Sequence, residues 1–482
     1  MSSTNKTRIP QNTLYLLTSQ VAEKFVSLLF VSLVARHLKT AGYGELAFIF
    51  SSTYLLTIFM DFGINTILVR EIARSREKAK EFLFNAFILK IYLAFFVLIL
   101  LFSFTKLTPF SPHIIIPFYI IGIAVIITSM AEIFRSSYFI AVENALMKGL
   151  LTISHRVTEL IFTFLSILFG GGLLRISTAI FLASLLNFFF SFCLARKDFH
   201  SQKSHLSLIT QRKILLSSLP VGIGIVFLGI YNRIDTVMLS FMKGNVAVGI
   251  YNAAYRIMEV LVFIPASLSG ALLPVLSRFF KSSPKKFRST FIFYLKWGII
   301  IAFPIAVIIG FFPQIFVRII FGKAFFSSTK ALIILIWTFP LITLNYILRT
   351  FFIASDRERM NLYFFLTGAI LNTGLNFLLI PRWSYKGAST ATLLTEVWGT
   401  IFLLFVISLS REKHNLRETL EKPLIAAMGM ACAIHYGMRI NNLFAFLAGC
   451  FSYFMLLLVQ ETFTREELKA VKNLVVLRGK NL

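Results

Sequence analysis

Opposite charges recur three residues apart inside long apolar runs of this sequence. The pairs are Glu132 with Arg135, Arg156 with Glu159, and Arg256 with Glu259. Because residues three apart share one face of a helix, the spacing predicts that the two members of each pair meet. Arg can make two parallel hydrogen bonds to a phosphate or carboxylate, and a nearby carboxylate keeps such binding reversible. The residue types therefore suit two roles: the pairs could neutralise each other and lock helices together, or they could bind an anion reversibly.

Further charged residues lie in the apolar runs without a partner three positions away. They are Glu23 and Lys24, Asp61, Arg233 and Asp235, and Glu396. A charge at the centre of a bilayer costs about 2.5–3.5 kcal/mol on insertion scales, so each of these residues is a candidate functional residue. The sequence has no readable Ser-His-Asp set, no phosphate-binding loop and no metal-ligand spacing, and we therefore predict neither a catalytic site nor a metal site.

The composition predicts that helices crossing a membrane position these charges. Of the 482 residues, 57% are apolar and only 14% are charged, and the mean hydropathy is +0.80. About fourteen apolar runs are long enough to span a bilayer. Their limits are 12–35, 45–69, 82–105, 114–142, 149–170, 176–195, 214–241, 248–275, 289–311, 328–353, 360–380, 385–409, 422–438 and 442–460. Since these runs lack the alternation of barrel strands, we predict an all-α integral membrane protein.

The net charge of +27 is mainly a signal of orientation in the membrane. Most Lys and Arg residues fall in alternate loops, and by the positive-inside rule those loops are cytoplasmic. Both termini are then cytoplasmic, which requires an even number of spans. We therefore predict a multi-pass protein of the inner or plasma membrane and no nucleic-acid partner. All predicted loops are short, so no ATP-hydrolysing domain is expected.

Two stretches of the sequence look alike at an offset of about 205 residues. In this comparison Lys39 corresponds to Lys243 and Gly44 to Gly249. Both stretches would enter the membrane from the cytoplasmic side, which is typical of a parallel repeat with the substrate path between its halves. We predict an N-terminal lobe over 1–200 with helices 1–6 and a C-terminal lobe over 201–415 with helices 7–12. Residues 416–482 would add two helices and a basic cytoplasmic tail.

Two blocks of the sequence resemble a known family of transporters. They are LKTAGYGELAFIFSSTYLLTIFMDFGINTILVREIA and YNRIDTVMLSFMKGNVAVGIYNAAYRIMEVLVFIPASLSGALLPVLSRF. With about fourteen spans, they look like the Wzx-type polysaccharide flippases of O-antigen, capsule and exopolysaccharide precursors. These belong to the multidrug/oligosaccharidyl-lipid/polysaccharide (MOP) superfamily. The resemblance implies two pseudo-symmetric helical lobes around a central cavity. It also implies movement of polyprenyl-diphosphate-linked oligosaccharide from the cytoplasmic to the outer leaflet.

For such a substrate, the buried cations could hold the diphosphate at two positions. We expect an inner cluster of Lys24, Arg135 and Arg156, and an outer cluster of Arg233 and Arg256. The carboxylates would be charge partners or sites for a coupling proton or sodium ion. They are Glu23, Asp61, Glu132, Glu159, Asp235, Glu259 and Glu396. Buried amides such as Asn187, Asn345, Asn372 and Asn376 could line a wet cavity for the sugars.

Three other functions are weighed against the flippase. A cation-coupled drug or metabolite antiporter of the same superfamily is the main alternative, but buried cations suit an anionic substrate better. A membrane polymerase or ligase would carry a large external loop, which this sequence lacks. A scaffold without transport would gain little from costly buried charges. The expected partners are lipid-linked oligosaccharide, membrane lipid, and a polysaccharide polymerase or glycosyltransferases of the same pathway. No cofactor is expected.

Overall fold

A computed structural model of the chain describes residues 3–108, 110–197, 205–409 and 416–463. Within these ranges the regular structure is helical. The helices are α1 Ser3–Thr57, α2 Ile64–Arg74, α3 Ala79–Leu107, α4 Pro112–Glu132, α5 Phe139–Ala141, α6 Ala145–Leu168, α7 Leu173–Arg196, α8 Leu208–Lys243, α9 Asn245–Leu261, α10 Phe263–Ser282, α11 Pro284–Phe311, α12 Pro313–Phe321, α13 Ser328–Leu335, α14 Thr338–Ala354, α15 Arg359–Trp383, α16 Tyr385–Leu409, α17 Leu416–Gly437 and α18 Asn442–Val459. The predicted all-α class is confirmed. The predicted basic tail after residue 463 lies outside the described residues.

The number of helices able to cross a membrane is lower than the predicted fourteen. In the part of the chain described here, eleven helices are long and apolar enough, and a bent pair at Thr18–Met60 and Ile64–Arg74 brings the number to twelve. All fourteen predicted runs nevertheless fall on helices. The first two runs lie on either side of a kink at Lys39 in α1, and the second continues beyond Thr57 into α2. Helix α17 carries Glu421, Lys422 and His435 within a short apolar stretch. The chain is therefore a multi-pass membrane protein, and the cytoplasmic position of its termini stays a prediction.

The two similar stretches share an unusual backbone conformation. Helix α1 is broken at Lys39, where φ is +57° and ψ is −169°. Gly244, which separates α8 from α9, has φ of +80° and ψ of 174°. These two residues are 205 positions apart, like Gly44 and Gly249, so Lys39 corresponds to Gly244. The expected correspondence of Lys39 with Lys243 is wrong by one residue, because a positive φ at Lys is uncommon and leaves no mark in the residue type.

The same two stretches meet at two glycines. A Cβ atom at Gly44 would lie 1.8 Å from the Asn245 carbonyl oxygen, and one at Gly249 would lie 2.0 Å from the Thr40 carbonyl oxygen. Thr40 and Asn245 are also 205 positions apart, so each copy presents its glycine to the equivalent turn of the other. Only glycine permits backbones to approach this closely. The reciprocal contact indicates that the repeat is structural.

The contacts divide the chain into two compact units. The first comprises Met1–Val260, Val317–Ala331 and Asn361–Ala391. One of its apolar clusters joins Leu68 of α2, Leu83 of α3 and Phe134 of a π-helical turn, Ile133–Tyr138, that follows α4. This packing fixes the turn, which carries Arg135. π-Helical turns are rare in proteins, and those that occur often lie at functional sites.

The second unit comprises Leu261–Phe316, Leu332–Met360 and Thr392–Leu482. An apolar cluster in it joins α11 with α17 and α18, including Val307, Met430 and Leu457. The hydroxyl of the buried Tyr453 donates to the Ile300 carbonyl at 2.8 Å. The two helices outside the repeat are therefore packed onto α11. The predicted domain limits 1–200, 201–415 and 416–482 stay a prediction.

Candidate functional site

A polar cavity of about 380 Å³ lies inside the first unit. Helices α1, α4, α6 and α7 and the π-helical turn line it. Its polar lining residues are Glu23, Thr128, Glu132, Arg135, Ser136, Lys148, Thr152, His155, Arg156, Glu159 and Ser184. Charged groups and hydroxyls therefore make up the polar lining of this cavity. The amides that were expected to form a lining are instead held by other side chains: Asn376 Nδ2 donates to Asn372 Oδ1 at 2.8 Å, for example.

Arg135 is held from three sides at this cavity. Its guanidinium forms an ion pair with Glu132 and donates to His155 Nδ1 at 3.0 Å and to Asn187 Oδ1 at 3.3 Å. Asn187 in turn donates to the Leu151 carbonyl at 3.2 Å. Because His155 Nδ1 accepts from a guanidinium, the imidazole is neutral, with its proton on Nε2. Arg135 Nε is buried and has no hydrogen-bond partner among the described atoms.

Arg156 binds two carboxylates from different helices. Its Nη1 donates to Glu159 Oε2 at 2.8 Å on the same helix, and its Nε lies 3.5 Å from Glu23 Oε1 on α1. The predicted pairs at i, i+3 therefore form at both Glu132–Arg135 and Arg156–Glu159. The contact with Glu23 was not predicted, because the sequence does not reveal which helices lie side by side. Arg156 thus ties α6 to α1.

A second cluster of cations surrounds Glu259 in the same unit. Arg256 Nη1 donates to Glu259 Oε2 at 2.7 Å, and Arg233 Nη2 lies 3.4 Å from Glu259 Oε1. Lys24 lines a small cleft with both Arg256 and Glu259. Among the described residues, Lys24 has no ion-pair partner within 4 Å. We call Lys24, Arg233 and Arg256 with Glu259 the cation cluster. It carries three positive charges and one negative charge.

The structure groups the predicted cations differently from the sequence. Lys24 was expected with Arg135 and Arg156, but it lies beside Arg256 and Glu259. The cation cluster and the polar cavity are neighbours along α1, because Glu23 faces the cavity and Lys24 faces the cluster. Arg256 is also within electrostatic range of Arg156. The inner and outer groups are therefore adjoining parts of one charged region in the first unit.

Two predicted carboxylates lie in separate polar clusters. The buried Asp235 accepts a hydrogen bond from the Tyr251 hydroxyl and another from the Thr236 backbone N–H at 2.7 Å. In the second unit, Glu396 Oε2 accepts from Asn345 Nδ2 at 2.8 Å, and the Thr400 hydroxyl donates to Asn345 Oδ1 at 2.9 Å. Each carboxylate therefore has hydrogen-bond partners at its own site. Within the described ranges, no group of three His, Cys, Asp or Glu side chains is placed to hold a metal ion.

Asp61 has a partner that sequence reasoning missed. Lys90 of α3 is fully buried, and its Nζ lies 3.8 Å from Asp61 Oδ1. The ammonium donates to Asn65 Oδ1 at 3.2 Å and to the Ser129 carbonyl at 2.7 Å. Asp61 Oδ1 also accepts from the Asn65 backbone N–H at 3.1 Å. Lys90 therefore holds together the break between α1 and α2, helix α3 and the end of α4. The only sign of Lys90 in the sequence was that it is a charged residue within a predicted span.

Replacing Lys90 by Met is expected to destabilise the protein by about 2–3 kcal/mol. Removing one partner of a buried ion pair costs about 3–5 kcal/mol, and the cost is smaller here since Asp61 is partly exposed. The measurement is the thermal unfolding midpoint of the detergent-solubilised protein. Lys106→Met, at an exposed position near the end of the same helix, is the matched control. Adding Asp61→Asn to Lys90→Met should recover part of the loss. Equal midpoints for the Lys90 and Lys106 variants would contradict this role.

Comparison with known families gives two overlapping matches. The model of the family described as "Polysaccharide biosynthesis protein" matches residues 9–280, and the MatE model matches residues 220–378. An uncharacterized membrane protein of Methanocaldococcus jannaschii is 23% identical over 429 residues, which is 84% of this chain and 99% of that protein. The "Putative O-antigen transporter" of Escherichia coli (strain K12) is 25% identical over 285 residues, 57% of this chain and 66% of that protein.

Solved transporter structures share the fold. The lipid II flippase MurJ in an inward closed conformation has a TM-score of 0.78 and 16% identity, covering 93% of this chain and 98% of that chain. An inward-facing multidrug resistance MATE transporter of the MOP superfamily has a TM-score of 0.63 and 16% identity, covering 82% of this chain and 94% of that chain. At these identities the likeness establishes the fold.

Proposed function

Because the chain belongs to the polysaccharide biosynthesis protein family of MOP-superfamily membrane transporters, we propose that it flips polyprenyl-diphosphate-linked oligosaccharide repeat units. The movement runs from the cytoplasmic to the outer leaflet by alternating access and supplies cell-surface polysaccharide synthesis. The single observation that carries the proposal is the excess positive charge of the cation cluster. Two arginines pair with one carboxylate there and Lys24 lies beside them, next to a polar cavity in the same unit.

The cation cluster suits a diphosphate headgroup. A diphosphate diester carries about two negative charges, and the cluster has an excess of two positive charges. Arg256 and Arg233 offer planar donors that can bind phosphate oxygens in pairs, whereas Lys24 supplies a point charge. Glu259 neutralises one cation of the cluster and so limits the cost of burying the others. A headgroup that binds without displacing Glu259 can be released after transport.

The adjoining cavity suits the sugars of the same substrate. Hydroxyls of Thr128, Thr152 and Ser184 offer hydrogen bonds to a polyhydroxylated molecule. Phe50 lines the cavity with an aromatic ring, which can pack against the apolar face of a sugar. The polyprenyl tail would remain in lipid. In this arrangement the headgroup and the glycan occupy neighbouring parts of one unit.

The alternative function is a cation-coupled drug or metabolite antiporter. The MatE match and the MATE structures favour it, and the buried carboxylates Asp235 and Glu396 could take a coupling proton or sodium ion. The excess of cations around Glu259 would repel a cationic drug, however. Coupling to a proton or sodium gradient is compatible with either function. A polysaccharide polymerase or glycosyltransferases of the same pathway are the proposed protein partners.

Deleting the gene in its source organism tests the proposal. We expect carrier-linked repeat units to accumulate, because they can no longer reach the outer leaflet, and surface polysaccharide to be lost. Mass spectrometry of lipid-linked glycans and an assay of surface glycan measure the two effects, and the intact gene must restore both. Unchanged lipid-linked glycans together with altered drug tolerance would identify the antiporter instead.

A further inference from the structure

We propose that the polar cavity selects uncharged sugars next to the diphosphate and disfavours acidic ones such as hexuronic acids. This inference rests on the proposed function and concerns the chemical class of the glycan. It is drawn from the balance of charges that line the cavity and from how those charges are already paired.

The cavity has no net charge. Three cations and three carboxylates line it: Arg135, Lys148 and Arg156 with Glu23, Glu132 and Glu159. His155 adds none, because its Nδ1 accepts from Arg135 at 3.0 Å and the ring is therefore neutral. The cation cluster, in contrast, has an excess of two positive charges. The two adjoining regions thus differ in the charge that they can neutralise.

The two guanidiniums of the cavity are committed to carboxylates of the chain. Arg135 is paired with Glu132, and Arg156 lies between Glu159 at 2.8 Å and Glu23 at 3.5 Å. Lys148 is the lining cation that makes no ion pair among the described residues. A sugar carboxylate would therefore find Lys148 and the Arg156 guanidinium, which is 36% exposed but already bound to two carboxylates. It would also meet the partly exposed carboxylates of Glu23 and Glu132, whose side chains are 27% and 29% exposed.

An uncharged sugar is not repelled by these carboxylates. Its hydroxyls can form hydrogen bonds with Thr128, Thr152, Ser136 and Ser184. A volume of about 380 Å³ lies in the range of small-molecule sites and would hold the sugars closest to the headgroup. For an added carboxylate about 6 Å from a wall carboxylate, repulsion in a partly wet site weakens binding by about tenfold.

The test measures binding of three soluble probes to the full chain in detergent by calorimetry. The probes are a short-chain polyprenyl diphosphate without sugar, the same carrier with a neutral disaccharide, and the same carrier with a disaccharide of identical linkage that contains a hexuronic acid. We expect the neutral disaccharide to bind more tightly than the bare carrier. The acidic disaccharide should bind about tenfold more weakly than the neutral one.

Glu23→Gln is the informative variant. It removes one carboxylate, and Arg156 keeps Glu159 as its partner, so the fold should be retained. The difference between the neutral and acidic probes should shrink to about threefold or less. Glu132→Gln is less suitable because it would leave the buried Arg135 without its ion pair. Glu45→Gln, which breaks an ion pair with His113 away from the cavity, is the control and should keep the full difference.

The outcomes separate this inference from the proposed function. If the bare carrier binds but the acidic probe binds as tightly as the neutral one, the selectivity is wrong and the flippase proposal stands. The selectivity is also wrong if sugars add no affinity or if Glu23→Gln leaves the difference unchanged. If no carrier binds, both the proposed function and this inference are overturned.

Discussion

Arg256→Gln is expected to abolish export of lipid-linked glycan while the protein is still made and inserted. The substitution removes a planar donor from the cation cluster and halves its excess charge. Hydrogen bonds to charged groups contribute about 1.5–3 kcal/mol, so affinity for a short-chain polyprenyl diphosphate should fall by about 10- to 100-fold. Calorimetry on the purified protein and restoration of surface glycan in a deletion strain measure the two effects. Arg212→Gln, at an exposed position of α8, should leave both unchanged.

Glu259→Gln distinguishes a binding role of Arg256 from a purely structural one. Both substitutions break the same contact between Arg256 and Glu259, which is 2.7 Å long. If that contact only locks α9, the two variants should be impaired alike. If Arg256 holds the headgroup, Glu259→Gln raises the excess charge of the cluster and keeps or strengthens headgroup binding, although release becomes slower. Equal loss of headgroup affinity in both variants would refute the binding role.

The local charge pairs were predictable from the sequence, whereas contacts between helices were not. The i, i+3 spacing correctly predicted Glu132–Arg135, Arg156–Glu159 and Arg256–Glu259 because helix geometry alone brings those residues together. The contacts Arg156–Glu23, Arg233–Glu259 and Lys90–Asp61 join different helices. They depend on which helices pack side by side, and a single sequence carries no direct record of that.

The depth of a charge in the membrane was also a weak guide to its neighbours. Counting residues from the ends of the predicted spans grouped Lys24 with Arg135. The structure instead places it with Arg256, because adjacent positions of α1 face different surroundings. The π-helical turn at Ile133–Tyr138, which carries Arg135, has no composition that would reveal it. The all-helical membrane class, in contrast, follows from hydropathy over hundreds of residues and is insensitive to such local detail.

The repeat makes a strong prediction about two glycines. Gly44→Ala and Gly249→Ala are each expected to prevent stable folding or to lower stability by several kcal/mol. A Cβ atom at Gly44 would lie 1.8 Å from the Asn245 carbonyl oxygen, and one at Gly249 would lie 2.0 Å from that of Thr40. Overpacking commonly costs about 1–3 kcal/mol. The cost should be higher here, because both partners are backbone atoms that cannot change rotamer.

The two substitutions should also be strongly non-additive. Gly44 of α1 packs against Asn245 of α9, and Gly249 of α9 packs against Thr40 of α1. Moving α1 away from α9 would therefore relieve both clashes at once. The double variant should therefore lose little more stability than the worse single variant, which the thermal midpoint in detergent would show. Gly224→Ala is the matched control, because a Cβ atom there meets nothing within 4 Å and Ala favours the helix. Costs that simply add would mean that the glycines pack independently and that the repeat has no shared contact. Wild-type stability in either single variant would mean that the two copies do not approach each other this closely.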